Sequence, residues 1–334
     1  MPEMVRFIRY PGGKQRILEY ILPYLPSRNL IKGKYIEPFV GGGAVFFAVN
    51  PECALLSDIN KELIDLYRGI RLNPSKVWEI YESFPQTKKG YYEIRALRVG
   101  NKNLIYRAAR TLYLNRTCFK GMWRYNSKGE FNIGYGGQDR RWVLSKETLN
   151  EVGYRLKLAS LKCCDFQKVI DASNEEDFIF IDPPYRPGEL GIDNAHYVFN
   201  SFGYKDHLRL ATALVRASDR GVRWVMTASC HPEILSLFNK YMVKHLPKGI
   251  GGPPGRLVTD NPKEVLIYNL NSAHLGNTSP PSFASRSATF LGISETTSRI
   301  PSVKRYTLEN SSSTSAGENL WSSPAFLSSF SSLQ

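Results

Sequence analysis

The stretch DFIFIDPPYRPG, from Asp177 to Gly188, constrains this chain more than any other. A short apolar run bounded by turn residues reads as an interior strand of a parallel sheet. Proline has no amide hydrogen to give to a ladder, so Pro183 and Pro184 must lie beyond the strand's carboxyl end. The tetrapeptide Asp182-Pro183-Pro184-Tyr185 therefore sits at a strand tip. In open α/β sheets ligands bind at such tips, and the two prolines restrict how far Asp182 and Tyr185 can move. Taken alone, the same residues also describe an ordinary strand-ending turn.

The surrounding pattern predicts the rest of a doubly wound sheet. KYIEPF reads as a strand, GGAVFFAVN as a helix, CALLSD as a strand and INKELIDLYRGI as an amphipathic helix, which together make a βαβα unit. DFIFID, YKDHLRLATALVRASD, RWVMTA and KEVLIYNL supply a second set of strand, helix, strand and strand. Between the two sets lies a segment with helical periodicity in NKNLIYRAARTLYLNRT, followed by RYNSKGEFNIGYGG, whose polar centre between aromatics predicts a β-hairpin. Beyond Leu270 the apolar periodicity stops, and 18 of the 64 remaining residues are serine, the composition of a disordered tail. The expected organisation is residues 1–72 and 161–270 as the two parts of one α/β domain, 73–160 as an insertion and 271–334 as the tail.

The net charge of +14 over 334 residues is concentrated in the insertion. From Gln86 to Trp142 thirteen Lys and Arg face three acids, with ten aromatics interleaved. Basic side chains neutralise phosphates and aromatic rings stack on bases, so the composition suits nucleic acid; a solvated basic helix face is the plainer alternative. No apolar run has the length of a membrane span, and MPEMVRFIRYPGGK lacks a signal-peptide core, which predicts a soluble intracellular protein. The five cysteines form no CxxC pair, so free thiols are expected rather than a zinc site or a disulfide framework.

After the first predicted strand, Gly41, Gly42 and Gly43 occupy the strand-to-helix turn, where glycine lets backbone approach a ligand. Phe46 stands where a third glycine would complete GxGxxG, which disfavours a dinucleotide pyrophosphate and leaves a smaller adenosine ligand. Asp58 ends the next strand, where an acidic residue takes ribose hydroxyls in nucleotide-binding βαβ units.

The blocks YPGGK, EPFVGGGAVFF, SDIN, NRTCFKGMWRYNSKGEFN, CDF and IDPPY, in this order from about Arg6 to Leu270, resemble the Dam-type D12 class of DNA N6-adenine methyltransferases. The resemblance implies an S-adenosylmethionine-dependent methyltransferase fold, a Rossmann-like mixed sheet with an inserted target-recognition region, acting on double-stranded DNA with no metal. It implies that Asp182 and the Pro183 carbonyl accept the hydrogens of the adenine amine, that Pro184 completes the rigid tip and that Tyr185 stacks on a base flipped from the duplex. It assigns cofactor contacts to Tyr10, Lys14, Phe39, Gly41, Gly43, Asp58, Asp165 and Asp182. DNA contacts fall to Lys14, Arg116, Lys120, Arg124 and Asn126, although Lys120 and Trp123 depart from the family's usual residues in that block. Many members methylate GATC, the first site to expect. A cytoplasmic, nucleoid-associated monomer is implied, with a restriction endonuclease as a candidate partner. N4-cytosine or RNA-base methylation, or DNA binding without catalysis, are the alternatives.

Overall fold

The computed structural model describes residues 5–138, 144–185, 202–246 and 264–270. The serine-rich tail, Trp142 and residues 186–201 lie outside them. Seven strands, β1 (Tyr35–Glu37), β2 (Ala54–Asp58), β3 (Ala159–Cys163), β4 (Phe178–Ile181), β5 (Arg223–Ser229), β6 (Met242–His245) and β7 (Glu264–Tyr268), form one sheet in the order β3-β2-β1-β4-β5-β7-β6. Pairings from β3 through β5 are parallel, whereas β7 runs antiparallel to both β5 and β6. Ten α-helices accompany it among the described residues: α1 (Leu18–Ile21), α2 (Ala44–Val49), α3 (Lys61–Leu72), α4 (Pro74–Ser83), α5 (Lys88–Ala96), α6 (Leu104–Thr117), α7 (Lys146–Leu156), α8 (Phe166–Asp171), α9 (Tyr204–Asp219) and α10 (Pro232–Ser236).

The period-2 geometry of a strand explains how one short run serves two cores. In β4, Phe178 and Phe180 join the apolar cluster that holds α3, α6 and α7, while Ile179 and Ile181 join the cluster that holds α8 and α9. All four are fully buried, as expected for a central strand covered on both faces. β3 alternates buried and exposed residues, and β6 at the far edge is exposed throughout. Those two strands lack the apolar signature, and the sequence reading did not find them.

Polar contacts set the register of the centre. The buried Asp177 carboxylate accepts from the Lys34 amide at 2.7 Å and from the Asn174 amide at 3.0 Å, tying the start of β4 to the start of β1. Both strands therefore end together. Chain order reverses between β1 and β4, so helices depart to opposite faces there and a crevice opens at the carboxyl ends.

The inserted helices are not a separate body. Tyr91, Leu112, Tyr113, Trp123 and Tyr125 belong to the same apolar cluster as β1 and α3. The expected hairpin is present as two isolated antiparallel bridges, Tyr125 with Phe131 and Cys118 with Tyr135, rather than as extended strands. Burial of Tyr91, Tyr113, Trp123, Tyr125 and Phe131 also changes the reading of the interleaved aromatics. They pack the insertion onto the sheet, and among the described residues Tyr92 and Phe119 are the exposed large aromatics of that set. The five cysteines are free thiols, as the spacing predicted.

The insertion also holds the amino-terminal segment. Asn115 of α6 accepts from the Arg9 amide at 2.8 Å and donates to the Arg9 carbonyl at 2.7 Å. Replacing Asn115 by Ala removes both bonds from a partly buried backbone, and the expected loss is about 2 kcal/mol of unfolding free energy in a urea titration. A loss below about 0.5 kcal/mol would mean that packing alone fixes this segment.

Candidate active site

Four segments converge on the crevice. The glycine turn follows β1, Asp58 closes β2, Asp182 follows β4, and the loop of residues 10–14 crosses above them. Gly41 and Gly43 adopt φ of 46° and 67°, a left-handed backbone that suits glycine. There is no room for more: a Cβ on Gly41 would lie 2.9 Å from the Tyr10 ring, and one on Gly43 would lie 2.9 Å from Phe47. The Tyr67 hydroxyl donates to the Gly41 carbonyl at 2.7 Å and holds the turn from below.

Asp58 is part of the same turn. One carboxylate oxygen accepts from the Gly41 amide at 3.1 Å and the other from the Asn60 amide at 2.9 Å. Burial pushes its pKa up to about 6, with these amide bonds opposing the rise. Glu37, the last residue of β1, was missed by the sequence reading. It lines the crevice, and its carboxyl is held well above the ordinary range, by burial first and with a contribution from the charge of Asp182. The Tyr35 hydroxyl donates to it at 3.0 Å.

The far wall of the crevice is aromatic. Phe39 stacks on Phe166 with ring centres 5.2 Å apart, and Phe202 meets Phe39 edge-on at 5.6 Å. Asp165 caps α8 through the Gln167 amide at 2.9 Å and accepts from Arg209 with both oxygens at 2.8 Å. Arg209 also lies over the Phe166 ring. Together these rings make an apolar aromatic wall with the Asp165 carboxylate at its rim. His207 is buried edge-on against Phe202.

At the tip of β4, Lys14 and Asp182 form an ion pair of 2.7 Å. Burial alone would depress the lysine, but Asp182 and Glu264 outweigh it and its pKa is raised, so Lys14 carries its proton at neutral pH. The ammonium also donates to the Gly12 carbonyl at 3.0 Å and lies 5.2 Å from the centre of the Tyr185 ring. Tyr185 donates its hydroxyl to Glu264, the first residue of β7, at 2.8 Å. On the other side, Thr227 of β5 donates to Asp182 Oδ1 at 2.6 Å. Lysine and threonine thus share Oδ1, and Oδ2 has no partner among the described residues.

The residues expected to meet DNA are placed differently from one another. Lys120 is exposed beside Phe119, with a positive φ of 53°. Arg124 is half-buried and donates to Asn132 at 3.0 Å. Asn126 shapes the hairpin tip, its Oδ1 accepting from the Lys128 and Glu130 amides. Arg116 is buried, 3% exposed, near the end of α6. Trp123, set against Tyr10 at 5.6 Å, donates to the Tyr125 hydroxyl at 2.6 Å, which in turn donates to Glu62 at 2.7 Å. The hairpin is thereby anchored to the start of α3 and touches the loop above the glycine turn.

Breaking the buried pair from the lysine side leaves Asp182 without a cation. Lys14→Met is expected to lower stability by about 3 kcal/mol, since Asp182 keeps some solvent contact. Thermal unfolding with and without added substrate analogues checks this; an unchanged midpoint would show that the pair contributes no net stability.

Comparison with known proteins bears on this geometry. Residues 10–249 match the D12 class N6 adenine-specific DNA methyltransferase family. The DNA N-6-adenine-methyltransferase of Escherichia phage P1 is 36% identical over 237 residues, covering 69% of this chain and 30% of that protein. Type II methyltransferase M1.LlaDCHI of Lactococcus lactis subsp. cremoris is 30% identical over 245 residues, with 71% and 85% covered. Type II methyltransferase M.MjaIII of Methanocaldococcus jannaschii is 31% identical over 288 residues, with 80% and 99% covered. With its glycine turn and its Asp-Pro-Pro-Tyr tip at the two central strands, the chain belongs to the D12 class of N6 adenine-specific DNA methyltransferases.

Proposed function

We propose that this adenine methyltransferase acts on an adenine flipped out of duplex DNA, with S-adenosylmethionine as methyl donor, and that Asp182 is its central catalytic residue. One observation carries the reading: Asp182 presents a single open carboxylate oxygen into a crevice that also contains the glycine turn. The donor set fits S-adenosylmethionine. Phe39 and Phe166 would hold its adenine, with Asp165 at the rim accepting from the amine; Asp58 would accept from the ribose; the glycine turn and Tyr10 would flank the amino-acid part. Bound there, the cofactor supplies a methyl group activated by its sulfonium.

The protein's part is to make a poor nucleophile attack. The adenine amine has its lone pair delocalised into the ring. Asp182 Oδ2 and the Pro183 carbonyl would accept its two hydrogens and favour a pyramidal nitrogen, with the lone pair directed at the methyl group. Tyr185, held by Glu264, would stack on the base, and the rigid prolines keep these acceptors in one geometry. Extruding the base costs a few kcal/mol, which stacking and basic contacts offset. Lys120, exposed, and Arg124, half-buried, would meet phosphates or bases; Arg116 and Asn126 would act by shaping the surface. Residues 1–72 and 161–270 would form the catalytic domain and 73–160 the recognition insertion, in a monomer associated with the nucleoid. GATC is the first target to test, and the type II names of two relatives make a partner endonuclease the natural one to seek.

Single-molecule sequencing of genomic DNA from a methylation-deficient bacterium expressing the chain tests the reading. N6-methyladenine is expected at one short motif and absent with Asp182→Ala. Modified adenine persisting in that variant would remove Asp182 from the chemistry. The cofactor assignment has its own test. Asp58 is ionised above about pH 6 and protonated below it, so a ribose hydroxyl loses its charged acceptor as the pH falls. Calorimetry should show Kd for S-adenosylmethionine rising about tenfold between pH 7.5 and pH 5. A flat profile would place the ribose elsewhere.

A further inference from the structure

A carboxylate at a strand tip can rotate about its side-chain bonds, and either oxygen could face the base. The structure offers two restraints, and they differ in kind. Lys14 supplies charge from a loop, through a flexible four-carbon stem. Thr227 supplies a hydroxyl from β5, where it pairs with Leu266 of β7, directly follows Met226, the last residue paired with β4, and is fully buried. Its β-branch limits it to few rotamers, so the hydroxyl has a fixed direction.

The distances say which way that hydroxyl points. Thr227 Oγ1 lies 2.6 Å from Asp182 Oδ1 and 3.4 Å from the Ile181 carbonyl. A hydroxyl has one hydrogen to give, and 2.6 Å falls within the short range of a charge-assisted bond to carboxylate. We infer that Thr227 is a positioning residue for methyl transfer: its hydrogen bond to Oδ1 locks the Asp182 carboxylate so that Oδ2 alone faces the adenine amine. This rests on the reading of Asp182 as acceptor of the amine hydrogen. Neither the spacing of the motifs nor the strand pattern marks Thr227, because it lies 45 residues from Asp182 and meets it only across the β4–β5 pairing. It adds no atom to the reaction and acts only through the orientation of another group.

The consequence is a separation of chemistry from binding. The Thr227 hydroxyl bonds to Asp182 and is not among the groups that line the crevice, so it should influence the transfer step while leaving both affinities alone. The experiment is a single-turnover measurement of methyl transfer on full-length protein saturated with S-adenosylmethionine, mixed with duplex DNA carrying the motif found by sequencing. Thr227→Val, which keeps the shape and removes the hydroxyl, is expected to slow transfer by about 10- to 100-fold, the scale of a misplaced reacting group. Kd for cofactor and for DNA should stay within about twofold, and Thr227→Ser should recover most of the rate. If the valine variant does not fold, Thr227→Ala compared with Thr227→Ser carries the same test. A transfer rate unchanged in the variants lacking the hydroxyl, while Asp182→Ala is inactive, would overturn the positioning role and leave the Asp182 reading standing. A loss shared equally by transfer and both affinities, or a serine variant as slow as valine, would assign Thr227 a structural role and also overturn it. Activity in Asp182→Ala would instead remove the reading on which the inference rests.

Discussion

The contact between Lys14 and Asp182 joins two parts of this molecule that lie far apart in the sequence. One partner lies on the amino-terminal loop and the other at the tip of β4, and the lysine is almost wholly buried. A buried cation is stable only if its counter-charge is fixed in place. Much of the local structure accomplishes that: Thr227 holds Asp182 from β5, Asp177 anchors the base of β4, and Asn115 holds the loop backbone at Arg9. The sheet supplies the anion, the insertion positions the loop that brings the cation, and the crevice between them is the proposed meeting place of amine and methyl donor.

This arrangement gives the insertion a second purpose. Its aromatic residues are mostly core, and its hairpin is tied through Tyr125 to Glu62 and through Trp123 to Tyr10. Tyr10 in turn closes over Gly41 and Gly42. A surface that meets DNA through Lys120 and Arg124 would therefore be in physical contact with the cofactor turn through packed rings. With the roles proposed above, target recognition and cofactor binding would share side chains instead of sitting in independent domains.

Elements whose apolar residues recur with a clear period were legible in the sequence: β1, β2, β4, β5 and β7, and helices α2, α3, α6 and α9. The strand-tip reading of Asp182 needed only proline's missing amide hydrogen and the end of an apolar run. What escaped had no local signal. β3 and β6 are edge strands with exposed faces, so their composition is that of loops. Thr227, Glu264, Phe202 and Arg209 enter the site by strand pairing or helix packing, from positions far along the chain. The burial of Arg116 and of the insertion's aromatics was misjudged for a related reason: composition counts basic and aromatic residues, but only packing decides which of them face solvent.

A structure of the enzyme with a non-reactive analogue of S-adenosylmethionine and a duplex carrying its target site measures the central geometry directly. An extruded adenine stacked on Tyr185 is expected, with its exocyclic nitrogen about 2.6–3.2 Å from both Asp182 Oδ2 and the Pro183 carbonyl, and Oδ1 still held by Thr227 and Lys14. An adenine lodged elsewhere, or an amine facing Oδ1 with the lysine displaced, would contradict it.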